Sequence, residues 1–303
     1  MDKYANLIVK VGINIQKGQP LVINAPVEGA EFVRLLAKHA YNLGAKEVHV
    51  NWNDGELTRM KYDYAPMEVF ENFPKWYADG LEDYAKKGAG FISISAQDPY
   101  LLKGVDPKKI AANNKSSSIA LKEYYKYTMN DLNAWCVMSI PTKAWAKRVF
   151  PDVSEDEAVE KLWDAIFKAT RMYEEDPVKA WEEHLGNIEK RVNFLNEKSF
   201  KKLYYKSSNG TDLTVELPEG HIWGGGGGKN VKGVFFVANM PTEEVFTLPH
   251  KYGVNGVVYN TKPLNYGGNL IDNFKLTFKD GKVVDFEAEE GYDVLKDLLN
   301  MDE

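Results

Sequence analysis

Short apolar runs and amphipathic stretches alternate along the first half of the chain. Residues 19–26 (QPLVINAP) and 46–52 (KEVHVNW) have strand length. Between them Phe32, Leu35, Leu36, Ala40 and Leu43 fall near helical spacing, with Gly44 as a stop. The spacing predicts a βαβ unit, and a helical crossover between two such strands favours a parallel pair with a right-handed connection. The alternation recurs in residues 80–99, where a short helix ends at glycine and residues 91–94 read as a buried strand. It recurs again in LNAWCVMSIPT, residues 132–142, after a polar helix around residues 120–125. Between these, Ser116, Ser117 and Ser118 blur a helix start and read either as cap and loop chemistry or as a holder of a polar ligand. The expected fold is α/β, with a Rossmann-like parallel-sheet N-terminal domain.

From Ser154 the pattern changes to long helices rich in charge and tryptophan. Ser154 is a plausible cap, Ala158, Leu162, Ala165, Ile166 and Ala169 share one stripe, and helix resumes after Pro177. These helices close a first domain over residues 1–190. Residues 191–303 then read as a second, α+β domain with a largely antiparallel sheet. Ser208, Asn209 and Gly210 mark a turn, residues 231–241 (VKGVFFVANMP) look antiparallel, and Phe274, Leu276 and Phe278 alternate with polar residues before the hairpin turn Asp280-Gly281.

Length and composition support this picture, since 303 residues suffice for one large or two ordinary domains, and 44% hydrophobic with 27% charged is ordinary for a globular chain. A formal charge of −6 supplies no global field for nucleic acid or an anionic membrane. Cys136, the one cysteine, lies in apolar WCVMSI and reads as a buried structural thiol. The amino terminus lacks a signal-peptide pattern and no window approaches a membrane span, so the expected setting is cytoplasmic.

Candidate chemistry is sparse. The metalloprotease helix, nucleophile elbow, phosphate loop, EF-hand and zinc-ribbon signatures are missing, and the first strand leads into INAPVEGAEF rather than a dinucleotide fingerprint. Five glycines from Gly224 to Gly228 fit a loop permitting close backbone approach, or a loop near an active site. His39 and His184 read as helix-packing residues and His49 as a strand residue, whereas His221, beside the glycines, and His250 are candidate pocket-wall residues. The informative segment is ANMPTEEVFTLPH, residues 238–250. Adjacent Glu243 and Glu244 in an extended stretch would point to opposite faces, with Asn239, Thr242 and Thr247 able to orient them. The alternative is a solvated acidic turn after proline.

This segment resembles the M29 family of metallo-aminopeptidases, also called the aminopeptidase T or aminopeptidase S family. The likeness extends over NMPTEEVFT at 239–247, LPEGHIW and glycines at 217–228, NTKPL at 260–264, DGKVV at 280–284 and the opening NLIVKVGINIQKGQPLVINAP. The resemblance implies a Rossmann-like first domain, a second domain with a two-metal centre of zinc, cobalt or manganese, removal of amino-terminal residues from short peptides, and a homodimer. It carries a metal-ligand role to Glu244, with Glu243 as the candidate catalytic or substrate-orienting group. The family's other ligands, a glutamate after an Asp-Glu-Gly motif, histidines and an aspartate, would follow Asp302 and Glu303, so the chain is expected to be truncated at its C-terminus and to lack part of the centre. The competing expectation is a non-catalytic peptide-binding or assembly protein on the same scaffold. Sugar or nucleotide binding rests on fold analogy alone.

Overall fold

The structure, a computed structural model, describes residues 1–266 and 269–300. The chain forms two compact units, one of Met1–Asn187 with Gly226–Glu243 and one of Ile188–Gly225 with Glu244–Glu303. A single cut after residue 190 therefore does not describe the path, because residues 226–243 return to the first unit.

In chain order, the first unit begins with α1 (Asp2–Leu7), β1 (Pro20–Pro26), α2 (Ala30–Asn42), β2 (Glu47–Asn53), α3 (Gly55–Tyr64), α4 (Glu68–Glu71), α5 (Lys75–Lys86) and β3 (Gly90–Ile94). It continues with α6 (Pro107–Ala120), α7 (Lys122–Met129), β4 (Trp135–Met138), α8 (Lys143–Val149) and α9 (Glu155–Ala169), and α10 (Pro177–Lys198) leads on. The chain then forms β5 (Lys202–Lys206), β6 (Asp212–Glu216) and β7 (Gly224–Gly225), followed by β8 (Gly228–Lys229), β9 (Phe235–Phe236) and β10 (Asn239–Met240). It ends with β11 (Val245–Phe246), β12 (Val254–Tyr259), β13 (Leu264–Tyr266), β14 (Asn269–Lys279), β15 (Lys282–Glu290) and α11 (Tyr292–Leu299).

The first unit is built on a five-stranded parallel sheet of order β10-β4-β3-β1-β2. Because β1 is apolar on both faces, it feeds two cores. Leu21, Ile23 and Ala25 join Tyr4, Leu7, Phe32, Leu36 and Cys136 on one side, while Val22 and Phe91 meet Ala78, Leu81 and Ala85 of α5 on the other. The expected βαβ unit is present, with Leu21 opposite Val48 and Ile23 opposite Val50. Ser154 caps α9 by accepting from the Glu157 N–H at 3.3 Å. The serine triplet instead lies inside α6. That helix starts at Pro107 under an Asp106 cap, and the hydroxyl of Ser116 donates to the Phe70 carbonyl at 2.7 Å.

Residues 231–241 also differ from the expectation, since only β8 and β9 pair antiparallel, and β10 adds to the parallel sheet beside β4. Burial accounts for this. Val237 and Met240 are buried, and a Cβ on Gly12 would meet the Met240 sulfur at 2.8 Å and the Cys136 sulfur at 2.9 Å. Cys136 is fully enclosed, and burial pushes its thiol pKa well up. Ellman's reagent at pH 8 should therefore leave the folded chain unlabelled and titrate one thiol only after denaturation.

The second unit carries an antiparallel sheet, β13-β14-β12-β6-β5, with β15 paired to β14. The turns are those read from the sequence. Gly210 has φ +100°, and Asp280 and Gly281 have φ +50° and +78° between β14 and β15. Among the described residues its buried apolar side chains are Ile188, Leu217, Trp223, Ile271 and Leu295. That is a thin core for a sheet of this size.

Candidate functional site

The acidic segment begins in the first unit, at the edge of the parallel sheet. β10 pairs with β4, Asn239 opposite Val137 and Met240 opposite Met138, and a cis Met240–Pro241 bond follows. Thr242 is buried and its carbonyl accepts from His184 Nε2 at 2.8 Å. His184 Nδ1 lies 2.9 Å from Nη2 of Arg171, and a guanidinium only donates, so Nδ1 is the acceptor and Nε2 carries the hydrogen. The same Nη2 donates to Glu243 Oε1 at 2.9 Å, and the other carboxylate oxygen lies 3.5 Å from His184 Nε2.

Behind this group stands Trp181. It is completely buried, its N–H donates to the Thr170 carbonyl at 2.8 Å, and its ring meets His184 edge-on with centroids 5.3 Å apart. The Arg171 guanidinium lies 5.2 Å above the indole, and its Nη1 donates to the Ala169 carbonyl at 3.3 Å, which gives that cation a platform as well as three acceptors. Arg171 itself has φ +62°, a left-handed conformation in the turn that follows α9. The first unit therefore anchors Glu243 and the peptide before it through Arg171 and His184. Sequence reading singled out neither residue for the site. A Trp-x-x-His pair three apart on one helix was the available signal.

In the second unit, Glu244 is exposed at the start of β11, whose partner is β7, Val245 opposite Gly225 and Phe246 opposite Gly224. The glycines are required here. A Cβ on Gly225 would stand 2.7 Å from the Glu244 carbonyl oxygen and 3.2 Å from the Val245 Cα, and one on Gly224 would touch the Phe246 ring at 3.4 Å. Gly225→Ala should destabilise this ribbon by at least about 1 kcal/mol. Faster amide exchange at Val245 and Phe246 is the expected reading, and unchanged protection would refute the close-approach account.

The ribbon is pinned at its outer end. The Thr247 hydroxyl donates to the Ile222 carbonyl at 2.8 Å, and the carboxamide of Asn196 on α10 clamps Trp223, accepting from its N–H at 2.8 Å and donating to its carbonyl at 3.1 Å. His221 points its Nδ1–H at the Pro218 carbonyl, 2.9 Å away, while its Nε2 and the Trp223 Nε1 are buried without a hydrogen-bond partner. His250 serves a turn, accepting from the Tyr252 N–H at 3.3 Å.

A divalent ion held by protein needs several donors, and a two-metal hydrolase needs more. Among the described residues no three His, Cys, Asp or Glu side chains stand together in a way that could hold one. Asp302 and Glu303, where the expected ligand motif would begin, lie outside the described residues. The described donor set does not fit a metal pair by itself. No helix among the described residues is long and apolar enough to cross a membrane.

Comparison with known proteins identifies the scaffold. A family model for thermophilic metalloprotease (M29) matches residues 1–303. Aminopeptidase 2 of Geobacillus stearothermophilus is 53% identical over 303 residues, 100% of this chain and 73% of that protein. Aminopeptidase AmpS of Bacillus subtilis is 52% identical over 303 residues, 100% of this chain and 74% of its own length. The solved structure of wild-type AmpT from Thermus thermophilus superposes with a TM-score of 0.93 at 39% identity, covering 100% of this chain and 74% of that one.

Proposed function

The chain belongs to the M29 family of thermophilic metalloproteases, and from that premise we propose that it acts in metal-dependent removal of amino-terminal residues from short peptides. The observation that carries this reading is 53% identity to an aminopeptidase over the whole of this chain. By family the chain is a metallo-aminopeptidase. Its described residues do not complete the metal centre.

In this reading Glu244 is one ligand of the centre and Glu243 orients the segment that presents it. Support comes from the anchoring of each residue within its own unit. The Arg171 guanidinium and the His184 imidazole fix Glu243 and the Thr242 carbonyl, and the β7–β11 pairing fixes the backbone that leaves Glu244. Zinc, cobalt or manganese as the metal, a homodimeric state and a cytoplasmic setting belong to the same proposal.

The test is release of p-nitroaniline from amino-acyl p-nitroanilides, with zinc, cobalt or manganese and with a chelated control. It compares the 303-residue chain with one extended downstream to the length of its relatives. Metal-dependent hydrolysis by the extended form alone is the expected result, and inactivity of both would overturn the assignment. That no three candidate donors stand together among the described residues also favours a second reading, a peptide-binding protein without a metal centre. Peptide binding by the 303-residue chain that persists in excess chelator would support it.

A further inference from the structure

The first unit contains a cavity of about 140 Å³ at the end of its parallel sheet where the strands begin. Lys17 lines it from the turn before β1, Lys87 and Gly88 from the turn before β3, Asn133 from the start of β4, and Asn230 and Lys232 from the loop between β8 and β9. Ligands of α/β sheets gather at the opposite, carboxyl ends of the strands, so the fold alone does not call for a site here. The lining does.

Every charged residue on the wall is a cation, in a chain of formal charge −6. Lys87 is neutralised by Asp83 at 2.6 Å, whereas Lys17 and Lys232 form no ion pair with a carboxylate among the described residues. A Cβ on Gly88, which has φ +76°, would lie 3.2 Å from the Lys232 Nζ, so that ammonium stands beside the turn before β3. Asn230 is buried, and its carboxamide oxygen accepts from the N–H groups of Lys232 and Val234, both at 3.0 Å, which leaves its nitrogen to donate. Asn133 braces the floor by donating to the carbonyls of Ala85 and Ala89 at 3.0 and 2.8 Å.

We propose that this cavity binds a small multivalent oxyanion of the size of inorganic phosphate, with the ammonium groups of Lys17 and Lys232 and the carboxamide nitrogen of Asn230 as donors. Lys17 and Lys232 both line this cavity without a carboxylate partner among the described residues, and an anion carrying more than one negative charge would pair with both. The volume agrees, because at roughly 30 Å³ per water it holds a phosphate with a few waters and is well under the roughly 300 Å³ at which pockets for larger organic ligands begin.

The experiment is calorimetric titration of inorganic phosphate into the 303-residue chain, in chloride buffer at fixed ionic strength. A saturable one-to-one isotherm is expected. Lys17→Gln and Lys232→Gln should each weaken it about tenfold or more, as for loss of a hydrogen bond to a charged group. Lys86→Gln, outside the cavity and paired with Glu82 at 2.6 Å, should leave it unchanged, and acetate should bind at least about tenfold more weakly than phosphate. Protection of Lys17 and Lys232 from an amine-acylating reagent by phosphate, read by mass spectrometry on the unmutated chain, gives the same answer without a variant. Absence of saturation, equal loss in Lys86→Gln, equal binding of acetate, or no selective protection would each overturn the proposal.

Discussion

Trp181→Ala is expected to lower the unfolding free energy of the first unit by about 3–5 kcal/mol, the usual cost of truncating a fully buried tryptophan. Three losses add at this position. The cavity left by the indole faces a closed core, the buried Thr170 carbonyl loses its donor at 2.8 Å, and the Arg171 guanidinium loses the ring 5.2 Å beneath it. Trp181→Phe separates these contributions. It keeps most of the volume but not the N–H, and should cost about 1–3 kcal/mol, the penalty for a buried acceptor left without its hydrogen bond. Urea unfolding followed by fluorescence and circular dichroism reads both variants. A cost below about 1 kcal/mol for alanine would mean that the indole does not support the group that holds Glu243.

Arg171→Ala is expected to cost about 2–3 kcal/mol, because a charged donor is removed from His184 and from Glu243 together. The two partners do not share the loss equally. The Glu243 side chain is 61% exposed, so solvent and salt screen its pairing, and a double-mutant cycle of Arg171→Ala with Glu243→Gln should give a coupling below about 1 kcal/mol. The His184 side chain is 12% exposed and its Nδ1 is left without a donor, so the cycle with His184→Ala should give the larger coupling. Backbone conformation supplies a further contrast. At φ +62° alanine is strained and glycine is not, so Arg171→Gly should be less destabilising than Arg171→Ala by roughly 1 kcal/mol, although both remove the same guanidinium. Equal cost for the two would argue that the left-handed turn is not maintained without the arginine.

What was legible in the chain follows from the range over which each signal acts. The β1-α2-β2 unit, the Ser154 cap and the Asp280-Gly281 hairpin are each encoded within a few residues, by apolar spacing, a hydroxyl before a helix, and a pair of residues that accept positive φ. The glycine tract was legible in kind. Gly224 and Gly225 permit close approach of β11, as one of the two readings held. The serine triplet misled because a hydroxyl that bonds back within a helix and one that caps it have the same local sequence.

The anchoring of the acidic segment had no local signature. Arg171 and Glu243 are 72 residues apart, and His184 and Thr242 are 58 apart. β10 is two residues long, too short for a period, and joins the parallel sheet because Met240 finds a pocket beside Gly12 and Cys136. The motif residues Glu243 and Glu244 drew attention as adjacent carboxylates in an extended stretch and then through family resemblance, whereas the side chains that hold Glu243 become visible only when the chain is folded.

Glu244 is proposed as one ligand of a metal centre, and the described residues do not complete the donor set of that centre. Calorimetric titration of zinc and manganese into the 303-residue chain and its Glu244→Gln variant tests this most directly. The predicted result is weak, non-stoichiometric binding by both, with tight binding appearing only in the chain extended downstream and lost there in Glu244→Gln. Tight stoichiometric binding by the 303-residue chain, or tight binding by the extended chain that survives Glu244→Gln, would contradict it.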